Sequence, residues 1–128
     1  MDEKNTVTVS VRQDHAAIAF RRYARLGLDR RPVKPFEAYR VIRGVCRSEE
    51  EAVKLLGVYD TIRLLSLTDK ESAEAVRAVY FAERGRTPRK NQTTLRVRRF
   101  AFENNLDERT VYRRLRSAKE LYYHLISY

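Results

Sequence analysis

The chain has 128 residues, with 27 Lys and Arg against 17 Asp and Glu and a formal net charge of +10. That length holds one domain, or one domain with an appended lobe, and only four Gly and three Pro favour helix over turn-rich β structure. The single cysteine, Cys46, excludes an internal disulfide and fits a reducing, cytoplasmic setting, and no stretch approaches the ~18–20 apolar residues of a membrane span.

Residues 1–13 are polar, with Val7, Val9 and Val11 alternating. The opening MDEKNTVTVS is acidic and has no apolar run, so it does not read as a signal peptide. A lone strand is unstable, so this stretch reads as a flexible tail, with pairing to a second copy as the alternative. Asp14 is placed to cap a helix reaching Leu26, with Ala17, Phe20, Ala24 and Ile18 as its apolar stripe. Arg21, Arg22 and Arg25 lie in its second half, where cations suit the helix dipole. Gly27 marks its end. His15 reads as a surface or capping residue, far in sequence from the other histidine, His124. The linker GLDRRPVKP is basic; it reads as a solvated connector or as a second phosphate contact.

Pro35 suits the first turn of a helix through Cys46, with Phe36, Tyr39, Ile42 and Val45 or Cys46 turned inward. Ser48 and Glu51 form a capping-box pattern. The run Glu49-Glu50-Glu51 then sits at the positive end of a helix dipole and reads as stabilisation, not as a metal or acid/base site. That helix carries Ala52, Leu55, Leu56, Tyr59, Ile62 and Leu65, with Val58, Leu64 and Leu67 off the stripe. A helix apolar on several faces is central and buried, and this one is also a candidate surface for pairing two copies. Thr68 and Glu71 suggest a second capping box, opening a helix that turns Ala73, Val76, Val79 and Tyr80 inward and ends near Arg84-Gly85. The chain therefore divides into an N-terminal helical region, 14–67, and a second region, 68–128.

GRTPRKNQ reads as a loop carrying Arg86, Arg89 and Lys90. Thr93 or Thr94 would cap the next helix, to about Asn104, with Arg96, Arg98 and Arg99 in its first half. The helix dipole favours anions there, and a passing phosphate backbone would supply one. From Arg84 to Lys119 there are twelve Lys/Arg against three Asp/Glu, and from Met1 to Glu83 fifteen against thirteen. Such asymmetry suggests a nucleic-acid footprint, with a solvated charged face as the alternative. Asp107 then caps a helix whose Val111, Leu115, Ala118, Tyr122 and Leu125 share one apolar face. Glu108, Arg109, Arg113, Arg116 and Lys119 fall on the others, and the stem of Arg114 lies nearer the core.

A short helix, a tight turn and a capped basic helix follow helix-turn-helix grammar. The small residue of the first helix, the turn residue and the two apolar slots are Ala101, Asn105, Leu106 and Val111. LDERTVYRRLRSAKEL resembles the fourth region of sigma-70-type factors, response-regulator output domains and the sigma-like C-termini of phage late-gene regulators of the ArpU group. LSLTDKESAEAVRAVYF is more loosely similar to the helix that precedes that motif. Asn104 stands where the pattern usually has Leu, leaving Phe102 or Phe100 to supply the packing. The resemblance implies an all-α helical bundle with a C-terminal sigma region 4-like helix-turn-helix, acting as a transcription regulator on double-stranded DNA, with RNA polymerase contact and homodimerisation as further expectations. On that alignment Glu108, Arg109 and Arg113 read base edges, Glu108 being equally well explained as a first-turn acid. Thr110, Tyr112, Arg116 and Lys119 join Arg86, Arg89, Lys90, Arg96, Arg98 and Arg99 on phosphate and sugar.

No Gly-rich phosphate loop, metal-spaced ligand set or Ser/His/Asp arrangement stands in the sequence, so neither an enzyme nor a cofactor or metal is expected. The rival reading is a protein-interaction factor that docks on RNA polymerase or a phage assembly through the Leu55–Leu67 helix and Tyr122, Tyr123 and Tyr128. A structured-RNA binder is a third, less suited to a major-groove device.

Overall fold

The computed structural model describes residues 14–82 and 91–127, and every regular element among them is helical. The readings of the 1–13 tail fall outside the described residues. Helix α1 (His15–Arg25) starts where Asp14 Oδ1 accepts from the Ala17 amide at 3.1 Å. It ends against Gly27, whose φ of 76° closes the turn. Ala17, Phe20 and Ala24 are buried as the spacing predicts, but Ile18 is 54% exposed. Ala16, Ala19 and Tyr23 widen the buried face on the other side instead.

A single 3₁₀ turn, Pro35–Glu37, leads into α2 (Ala38–Val45), so the expected continuous helix is broken. Phe36, expected to face inward, lies in that separate turn and is 84% exposed, whereas Ile42 on α2 is buried. Helix α3 (Glu49–Thr68) is the central one, packed on α1, α2, the helix that directly follows it and the last helix of the chain. Ser48 Oγ accepts from the Glu51 amide at 3.1 Å. The return half of the capping box does not form, because Glu51 accepts instead from the Arg47 amide at 2.9 Å and pairs with Arg22 at 2.7 Å. The bond from the Arg47 amide, with Arg22 alongside, holds the Glu51 carboxyl below the usual carboxylate range.

One residue, Asp69, separates α3 from α4 (Lys70–Val76) and caps it, accepting from the Ser72 amide at 3.3 Å and from its hydroxyl at 2.6 Å. Thr68, expected as that cap, is the last residue of α3 and its hydroxyl donates to Leu64 O. A π-helical turn, Arg77–Phe81, continues α4 and buries Val79, Tyr80 and Phe81. The predicted end near Arg84-Gly85 lies outside the described residues. Helices α5 (Gln92–Glu103) and α6 (Glu108–Ile126) complete the fold.

Buried residues on both sides of position 67 form one cluster. Phe20 sits at its centre, 5.8 Å from the Tyr80 ring and 5.7 Å from that of Tyr122. Burial pushes the Tyr122 hydroxyl up to about 12. Helix α6 runs its C-terminal half along α3. At Gly57 an added Cβ would stand 3.2 Å from Tyr122 Cε1 and would collide with Ile126. No described helix is long and apolar enough to cross a membrane.

Candidate nucleic-acid interface

Helix α5 begins without a side-chain cap: Asn91 holds the N-cap position at φ 65°. Thr93 and Thr94, the predicted caps, lie inside the first turn, and the Thr93 hydroxyl accepts from Arg21 Nη2 at 2.9 Å. That first turn contains no acidic residue. Val97 and Ala101 face the core, Arg96 is half-buried, and Arg98 and Arg99 are exposed. Arg99 also pairs with Glu103 at 3.3 Å.

The end of α5 explains the Asn-rich sequence. Asn105 takes the left-handed conformation, φ 56°, which Asn tolerates better than branched residues. The Leu106 amide donates to Ala101 O at 2.9 Å and the Asn105 amide to Phe102 O at 3.4 Å, the paired bonds of a Schellman ending. Asn104 is exposed and its Nδ2 donates to Phe100 O at 2.9 Å, so this slot closes the helix rather than packing it. Of the two phenylalanines expected to compensate, Phe100 packs on the core and Phe102 is 85% exposed.

Asp107 Oδ1 then accepts from the Thr110 amide at 2.8 Å. That bond, aided by the charges of Arg109 and Arg113, holds the Asp107 carboxyl below its ordinary range. Val111, Leu115, Ala118 and Tyr122 are buried along one side of α6. Arg109, Tyr112, Arg113 and Arg116 are exposed, while Thr110 and Arg114 are half-buried. Glu108 is exposed but engaged: its Oε2 lies 3.4 Å from Arg98 Nε, linking the start of α6 to α5.

Lys119 does not belong with these. Its Nζ is 2.6 Å from Asp14 Oδ2 and 5.1 Å from the centre of the Tyr80 ring, with Arg21 also over that ring at 5.2 Å. Desolvation pulls the Lys119 amine down, but Tyr80 and Asp14 outweigh it and the net shift is upward. The reason is geometric: Lys119 lies on the stretch of α6 that meets the start of α1 and the π-helical turn. Nothing local in the sequence signals this, because its partners stand at positions 14 and 80. Arg86, Arg89 and Lys90 lie outside the described residues. The described site therefore reduces to Arg109, Arg113, Tyr112 and Arg116 on α6, Arg98 and Arg99 on α5, and the Glu108 carboxylate among them.

No family model matches the chain, and no curated protein or solved structure matches it significantly.

Proposed function

We propose that the chain is a sequence-specific transcription regulator that binds double-stranded DNA, with α5, its turn and α6 acting as a sigma region 4-like helix-turn-helix. Arg109 and Arg113 pair with guanine edges in the major groove, Glu108 accepts from a cytosine amino group or holds Arg98, and Arg98, Arg99 and Arg116 grip phosphate. The observation that carries this reading is the exposure of Arg109 and Arg113 on a helix whose opposite face is anchored by Val111 and Leu115. The αL turn at Asn105 and the uncapped, acid-free start of α5 support it.

Selection of bound sequences from random duplex DNA tests it. Enrichment of a defined motif is the expected result, and a palindromic motif would indicate two paired copies. Failure to enrich, with no retention on DNA-cellulose at low salt, would favour the protein-interaction reading. Part of the surface that reading needs is otherwise occupied: Tyr122 is buried and the Tyr123 hydroxyl accepts from the Ala16 amide at 3.0 Å.

A further inference from the structure

A cavity of about 530 Å³ opens on the side of the fold built by the linker after α1, the C-terminal half of α3 and the π-helical turn. No residue of α5 or α6 lines it, so it is separate from the face assigned to DNA. Its size falls within the ~300–1,000 Å³ of small-molecule sites. Its floor is aromatic: Tyr23 and Phe81 stack with centroids 5.6 Å apart and planes 26° from parallel. Tyr59, also in the lining, donates its hydroxyl to Val33 O at 3.1 Å and so fastens the linker across one edge.

Three arginines from three elements converge on this floor: Arg31 from the linker, Arg63 from α3 and Arg77 from the π-helical turn. All three residues are exposed. Arg77 Nη2 reaches Ser66 Oγ at 3.3 Å, and neither Arg31 nor Arg63 forms an ion pair with another described residue. Asp29 is the acid in the lining, and Asp60 stands near Tyr23, with Arg63 acting on it. The lining is therefore three positive to one negative. Stability alone does not gather like charges over an apolar floor. A planar anion satisfies both, its ring on the aromatic floor and its charged head in an arginine fork. π-Helical turns are, moreover, frequent at functional sites.

We infer that this cavity binds a small molecule combining an aromatic ring with one carboxylate or phosphate group. The inference does not depend on the DNA reading. Calorimetric titration of the full chain, without DNA, uses benzoate and phenyl phosphate as probes and phenol as the neutral control. At least one anion binds, phenol binds at least tenfold more weakly, and the better of the two anions identifies the head group. Arg31→Ala and Arg63→Ala each weaken binding at least tenfold without changing the melting temperature, because both side chains are exposed. Arg109→Ala leaves it unchanged. Absence of binding by both anions, equal binding by phenol, or an equal loss in Arg109→Ala would overturn the proposal.

Discussion

Arg98 Nε lies 3.4 Å from Glu108 Oε2, joining the solvent face of α5 to the first residue of α6. Both side chains are well exposed, so the pair stabilises the fold by about 0–1 kcal/mol at most. Its effect is on geometry: it holds Arg98 beside the end of α6 that carries Arg109.

Arg98→Ala is expected to weaken binding to every duplex alike and to lower the slope of log affinity against log salt by about 1. Arg109→Ala should instead lose about 1–3 kcal/mol on the preferred site, with little change elsewhere. Gel-shift titrations at several salt concentrations separate the two. Equal losses on all sequences for both variants would remove the base-reading assignment.

Lys119→Met removes a part-buried pair, not a DNA contact. With Asp14 42% exposed at its side chain, the loss of stability is discounted to about 1 kcal/mol, read from urea midpoints. The salt slope of DNA binding stays at the wild-type value. A slope reduced as in Arg98→Ala would return Lys119 to the phosphate set.

The Asp107 carboxyl is held below its ordinary range in the folded chain. A depressed folded pKa contributes stability above the unfolded carboxylate's pKa and loses it as pH falls through the folded value. Asp107→Asn keeps an acceptor at the N-cap and removes the titration. The variant's urea midpoint should therefore fall less than the wild type's as pH drops below about 4. Parallel pH profiles would show that the Asp107 charge adds nothing to stability.

Gly57→Val places branched carbons where even a single added Cβ would collide with Ile126 and stand 3.2 Å from Tyr122 Cε1. Tyr122 is fully buried and cannot swing clear. A loss of about 1–3 kcal/mol is expected from overpacking, partly offset by the poor helix propensity of glycine. Thermal unfolding measures it; an unchanged melting temperature would mean that α6 shifts freely along α3.

Helix content and most inward faces were legible in the sequence because they depend on residues three and four apart. Asp14, Ser48 and Asp107 serve as caps because a short oxygen-bearing side chain meets amides only two or three residues on. Less is legible where one residue decides between neighbours, as with Asp69 and Thr68, or where a separate 3₁₀ turn precedes the helix, as at Phe36. In the candidate interface, Asn105, Leu106 and Val111 were readable because turn and packing are local. Lys119 was not, since its environment is made by α1 and the π-helical turn, and the Arg98–Glu108 pair depends on how two helices cross.

The contact at Gly57 has a consequence for any attempt to move the basic helix into another protein. The surface that keeps Tyr122 dry belongs to the first half of the polypeptide. A fragment excised after residue 67 would leave behind one wall of its own interior. Grafts that omit α1 and α3 should thus come out sticky and poorly ordered.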